Sequence, residues 1–186
     1  MKPVRRITGR VAVLDRADVD TDQIMPKQFL KRIERTGYGE FLFFDWVRSG
    51  EVSIEPGAVL VAGRNFGCGS SREHAVWAIQ QFGFDAVIAP SFSDIFYANC
   101  TKNGLLPVVL AEDDVRALMA TGDARIDLEA QTVSFGGRTV GFEIDSDIKD
   151  RLLNGLDEIG LTLAHEDEIA EFERTRMPPG PVTSRL

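Results

Sequence analysis

Residues 65–74 read Asn-Phe-Gly-Cys-Gly-Ser-Ser-Arg-Glu-His, and they put more chemistry into one short stretch than any other part of the chain. Ser70, Ser71, Arg72, Glu73 and His74 offer two hydroxyls, a guanidinium, a carboxylate and an imidazole, while Gly67 and Gly69 free the backbone before them. An arginine in the first turn of a helix stands at the positive end of the dipole, where a cation is disfavoured by about 0.3–1 kcal/mol. Arg72 therefore needs another purpose, and bidentate capture of a carboxylate, with helix amides adding donors, supplies one. A serine hydroxyl beside such an anion site takes a carbon-bound proton only as its alkoxide, which amide donors and positive charge must stabilise. The chemistry in prospect is proton abstraction next to a carboxylate, with Ser70 as base and Arg72 as clamp.

The same residues admit plainer readings. Ser70-Ser71-Arg72-Glu73 matches a capping box, in which Ser70 as N-cap is worth about 1 kcal/mol of helix stability. The loop lacks the lysine of a P-loop, the spacing of G-x-G-x-x-G and the G-x-S-x-G elbow of serine hydrolases. His74 follows Ser70 by one helical turn, but no acid completes a triad. Asp15, Asp18, Asp20 and Asp22 read as a solvated loop with Asx-turn chemistry. Their spacing does not fit a calcium loop, and no glutamate follows at the twelfth position. Behind Pro26 the patch Lys27–Ile33 is strongly basic and reads as an exposed cationic face. The aromatic run Phe41–Trp46 reads as core or as a covered contact with a partner.

The elements that must position this loop follow from apolar periodicity. A first strand is expected over Ile7–Leu14 and a second over 58–62, with a helix from about Ser71 to Phe82. A strand over 86–89, a helix over 93–102, a strand over 106–110 and a helix over 113–120 continue the alternation. Such βα alternation implies a small parallel sheet with right-handed crossovers. The loop 63–70 then leaves the carboxyl end of a strand, the place where open α/β sheets bind ligands. Short strands are expected over 125–128, 132–135 and 139–144, with Gly136-Gly137 turning the last hairpin. Helical patterns return at 147–154 and 166–174. The expected organisation is one domain over 1–176, with 177–186 a disordered or partner-contacting tail around Pro178, Pro179 and Pro181.

Composition narrows the class. At 186 residues the chain suits one sizeable core, and its 44% hydrophobic and 27% charged residues are ordinary for a globular protein. A formal charge of −8, with no basic stripe to offset it, argues against nucleic acid. An anionic substrate would need arginines placed locally. Two distant cysteines, Cys68 and Cys100, make no disulfide framework and fit a reducing compartment. No apolar run matches a secretory signal or the roughly 20 residues of a membrane helix, so the expected setting is the cytoplasm.

Four ordered motifs carry a resemblance. Residues 65–74 resemble the motif of the carboxy-terminal swivelling domain of aconitase-family hydro-lyases. Asp20–Leu30, Ala89–Tyr97 followed by Asn103–Pro107, and Asn154–Leu163 resemble the small subunits of bacterial 3-isopropylmalate dehydratases over nearly the whole chain. The resemblance implies a three-layer β/β/α swivelling domain with a parallel βαβ core. It implies a subunit of a hydro-lyase that interconverts 2-isopropylmalate and 3-isopropylmalate through 2-isopropylmaleate in leucine biosynthesis. It further implies a [4Fe–4S] cluster on three cysteines of a separate large subunit, in a heterodimer or heterotetramer, and no metal on this chain. Residue by residue, Ser70 matches the catalytic base and Arg72 the substrate-carboxylate ligand. Ser71 adds a hydrogen bond, Asp22 orients Arg72 or Ser70, and Lys31 or Arg32 touches the substrate's variable group. The stretch between Trp46 and Pro56 is shorter than in many such subunits. That departure keeps open a role in a hydro-lyase acting on methylmalate or citraconate, dimethylmalate or homoaconitate, and a non-catalytic carboxylate-binding module remains the rival from another class.

Overall fold

The computed structural model describes residues 1–31, 34–70, 72–163 and 165–176. Its centre is a seven-stranded mixed sheet in the order β4-β3-β2-β1-β5-β6-β7. Four strands run parallel: β1 (Arg6–Leu14), β2 (Val59–Ala62), β3 (Ala86–Ala89) and β4 (Leu106–Val109). On its other edge β1 pairs antiparallel with β5 (Asp123–Asp127), and β6 (Thr132–Phe135) and β7 (Arg138–Gly141) extend that wing. β2 and β3 are buried at every residue, as strands covered on both faces are. β5 and β6 alternate instead, as expected of strands with one wet face.

Side-chain alternation divides the interior into two cores. On one face Ala12, Leu14, Leu60, Ala62, Val87 and Ala89 meet α3 (Glu73–Phe82) and α4 (Asp94–Asn103). The short helices α1 (Thr21–Ile24) and α2 (Phe44–Ser49) join them through Ile24 and the residues around Phe43. On the other face Val59, Val61, Ile88 and Val108 pack against α5 (Glu112–Met119), α6 (Ser146–Asn154) and the curled wing, through Val115, Leu118, Leu152, Ile126 and Val133. The α1–α4 helices, the parallel strands, and the antiparallel wing with α5 and α6 are thus the three layers of the β/β/α swivelling fold. The aromatic run is core: Phe43 has no exposed surface, and Phe29 stacks on Phe41 with ring centroids 3.9 Å apart.

Two departures from the sequence expectations lie next to the loop at 63–72. α3 begins at Glu73, not Ser71. The backbone is still extended at Arg72, which holds the N-cap position without any side-chain cap, so the capping box from Ser70 to Glu73 does not form. The Glu73 carboxylate instead accepts from Asn103 Nδ2 of α4 at 3.0 Å, a tertiary partner that wins over the local one. The aspartate loop is also less idle than a solvated turn. Asp20 caps α1 in a reciprocal capping box with Gln23. The tail 177–186, like Arg32 and Ser71, lies outside the described residues.

Candidate active site

The loop from Gly63 to Arg72 connects the carboxyl end of β2 to α3 and lies between two neighbouring segments. On one side it adds a bridge to residues 91–93: Phe66 N donates to Ser91 O, and Ser93 N to Phe66 O. Ser93, the N-cap of α4, also donates its hydroxyl to Gly67 O at 2.6 Å. On the other side it follows residues 18–21. The amides of Gly67 and Cys68 both reach Val19 O, at 2.8 and 3.1 Å, and Thr21 N reaches Cys68 O at 3.0 Å. Asn65, at φ +54, donates its side-chain amide to Asp18 Oδ1 at 2.9 Å. The loop is held on both edges.

Gly67 is dictated by this clamp. Its φ is +74, and a Cβ there would lie 2.6 Å from Phe96 Cβ and closer still to the ring. Gly69, at φ +85, then turns the chain so that Ser70 emerges exposed. Its carbonyl is fixed from below, where the buried hydroxyl of Thr21 donates to Ser70 O at 2.7 Å. The Gly67 and Cys68 amides are spent on Val19 O, so neither is left to a ligand. α3 aims the positive end of its dipole at the end of this loop.

Arg72 is drawn to α1. Its Nη1 donates to Asp22 Oδ1, and its side chain keeps only 16% of its surface exposed against 48% for Asp22. The Arg72 hydrogen bond, with the charges of Arg72 and Lys27 behind it, holds the Asp22 carboxyl below its ordinary value. A guanidinium carries five donors, so one bond to Asp22 leaves Arg72 able to grip a second carboxylate. Arg72 lines an open cleft of about 600 Å³ with Leu30, Glu73, His74, Asn99 and Lys102. That volume accommodates a small dicarboxylate.

His74 packs on Tyr38 and Trp77, with centroids 5.3 and 4.7 Å away, and burial lowers its pKa. Cys68 sits under the loop with Sγ donating to Asp18 O at 3.3 Å, and burial with Asp20 and Asp18 nearby raises its pKa. Cys100 is sealed in the core, and its thiol is raised further.

Of the residues singled out in the sequence, Arg72 and Asp22 are paired, and Ser70 lies on the same loop with its backbone carbonyl held by Thr21. Lys31 is exposed on the turn after a single 3₁₀ turn at Lys27–Phe29. Ser71 and Arg32 fall outside the described residues. Sequence reasoning passed over Thr21 and Ser93, whose hydroxyls anchor the loop. Thr21 stands between two aspartates in the motif at 20–30, and its burial at 2% exposure was the missing signal. Among the described residues no group of three His, Cys, Asp or Glu side chains is placed to hold a metal ion. No helix there is long and apolar enough to cross a membrane.

An arginine–aspartate pair and an exposed serine at the carboxyl edge of a β/β/α domain define the class as an aconitase-type swivelling domain. The family model for the aconitase C-terminal domain matches residues 51–113, and that for the carboxy-terminal domain of 3-isopropylmalate dehydratase small subunits matches 158–178. The small subunit of 3-isopropylmalate dehydratase from Halalkalibacterium halodurans is 56% identical over 95% of this chain and all of its own length. Its counterpart from Rubrobacter xylanophilus is 52% identical over 95% of this chain and 96% of its own. That from Bacillus subtilis is 49% identical over 95% and 97%. The crystal structure of a 3-isopropylmalate dehydratase (LeuD) from Methanocaldococcus jannaschii matches with a TM-score of 0.72 and 30% identity, covering 89% of this chain and 98% of that one. The chain belongs to the family of 3-isopropylmalate dehydratase small subunits.

Proposed function

We propose that this chain is the small subunit of a two-component hydro-lyase that isomerises 2-isopropylmalate and 3-isopropylmalate through 2-isopropylmaleate, in cytoplasmic leucine biosynthesis. The carrying observation is the Arg72–Asp22 pair set beside an exposed Ser70, in a chain of this family. Asp22 braces Arg72, and the remaining guanidinium donors hold a substrate carboxylate. Ser70 as its alkoxide takes the carbon-bound proton next to a carboxylate while hydroxide departs from the neighbouring carbon, leaving the unsaturated diacid. Water then adds with the opposite regiochemistry, and Ser70 returns the proton. Positive charge from Arg72 and the dipole of α3 support the serine oxygen. Ser71 contributes a further hydrogen bond, and Lys31 or Arg32 reaches the substrate's variable group.

Two thiols, one sealed in the core, do not make the ligand set of an iron–sulfur cluster. The [4Fe–4S] cluster that the resemblance calls for is therefore assigned to a large-subunit partner, in a heterodimer or heterotetramer. The exposed, one-sided lip at Ser70 suits closure by another chain. The test is reconstitution with a large subunit and assay on a panel of C-substituted malates. Preference for the isopropyl compound is expected, and equal or better turnover of the methyl, dimethyl or homoaconitate substrates would defeat the assignment.

A further inference from the structure

Among the described residues, two helices near the end leave large apolar side chains uncovered. α7 (Glu158–Leu163) and α8 (Glu166–Thr175) bury no residue at all. Neither is polar all round: Ile159 is 71% exposed, Leu163 59%, Ile169 38% and Phe172 65%. Ile159 and Leu163 are four residues apart and Ile169 and Phe172 three, so each pair shares a helix face. Helices of six and ten residues are marginal on propensity alone and draw their stability from covering such a face.

The apolar face of α7 begins at the rim of the Arg72 cleft. Glu73 and Lys102 line the Arg72 cleft and also a second cleft of about 460 Å³ that reaches Asp157, Glu158 and Ile159. Lys102 Nζ lies 3.2 Å from Glu158 Oε1, tying α4 to the start of α7. A chain that closes over Ser70 and Arg72 therefore meets α7 next. Charge selects among occupants. α8 carries Glu166, Asp167, Glu168, Glu171 and Glu173 against the single cation Arg174. A second copy seated on this face would oppose these carboxylates to their own kind, and an anionic lipid surface would repel them likewise.

We propose that the α7–α8 face is a docking surface for the large subunit, seated in an apolar groove of that subunit rimmed by lysine or arginine. The proposal rests on the two-component reading above and extends its interface from the Arg72 cleft outward along both helices. Because neither helix buries a residue, Ile169→Asp with Phe172→Asp leaves the core untouched. In the full-length chain this double variant is expected to keep its far-UV circular dichroism and urea midpoint. Its affinity for the purified large subunit, measured by sedimentation velocity, falls by at least ~100-fold, as for loss of two interface anchors. At saturating small subunit the isomerase rate stays within about threefold, since these residues lie outside the clamp. The milder pair Glu168→Gln and Glu171→Gln reads the charge component: wild-type association weakens with salt, and the variant's salt slope is shallower.

Unchanged affinity in the double variant would overturn the proposal. So would a wild-type chain that dimerises alone and becomes monomeric on substitution. A wild-type pair that assembles without turning over isopropylmalate would sink the functional reading, while weakened assembly of the variant in that same pair would still support the docking surface.

Discussion

Gly67→Ala tests whether the loop is clamped as tightly as its contacts indicate. The residue is fixed from both sides, by its amide to Val19 O at 2.8 Å and by the Ser93 hydroxyl on its carbonyl at 2.6 Å. It cannot slide away from Phe96. That ring is 1% exposed, edge-on to Phe66 at 5.4 Å and stacked on Phe92 at 6.3 Å, so it cannot retreat either. The left-handed backbone costs an alanine about 1–2 kcal/mol. Overpacking against the core adds about 1–3 kcal/mol, for a total of roughly 2–5 kcal/mol. Gly50→Ala is the control, because its φ is +77 but a Cβ there meets nothing within 4 Å. It should lose only the backbone part, about 1–2 kcal/mol. Urea unfolding followed by tryptophan fluorescence reads both, and at a slope of about 2 kcal/mol per molar the Gly67→Ala midpoint drops by roughly 1–2.5 M. If Gly67→Ala loses no more than Gly50→Ala, Phe96 yields and the clamp argument fails.

Other outcomes follow from the same contacts. Ser93→Ala removes both the bond to Gly67 O and the cap of α4, and should cost about 1–2 kcal/mol in the same urea assay. Asp22→Asn unbraces Arg72, so KM of the reconstituted enzyme should rise about tenfold with a smaller change in kcat. The Asp22 carboxyl is held down by Arg72, so its contribution to stability is present above the ordinary carboxylate value of about 3.9 and fades as pH falls through its lowered native value. With Asp22 half exposed, that contribution stays below about 1 kcal/mol, read as a wild-type minus Asp22→Asn difference that shrinks only in acid. An aromatic disulfide reagent at neutral pH should titrate at most one thiol slowly in the native chain, Cys68, and a second, Cys100, only in urea. Fast reaction of both would contradict the burial of Cys100.

The strands at 86–89 and 132–135 were legible to the residue, the first as an apolar run ending at Pro90 and the second as an alternating segment ending at Gly136-Gly137. The helices at 21–24 and 44–49 were not, since one turn or two is too short to show a 3.6-residue period. Nor could the dual role of β1 be read: pairing parallel with β2 and antiparallel with β5 depends on partners about 50 and 120 residues away. At the site, the strand–loop–helix order was legible, and the family motif supplied the likeness. The support beneath it was hidden. Ser70-x-x-Glu73 looked like a local cap, but Glu73 had a better partner in Asn103 across the helix interface. Thr21 and Ser93 are ordinary hydroxyls until folding brings them under the carbonyls of Ser70 and Gly67.

The central claim is that this chain contributes the base and the anion clamp to an active site closed by a partner. Ser70→Ala, assayed as the reconstituted complex at saturating partner, meets it head-on. The predicted result is unchanged assembly and KM within a few-fold, with kcat reduced by about 10²–10⁴, the usual worth of a positioned base. A complex that assembles and retains kcat within about threefold would show that the proton leaves by another route, and Ser70 would be only a turn residue.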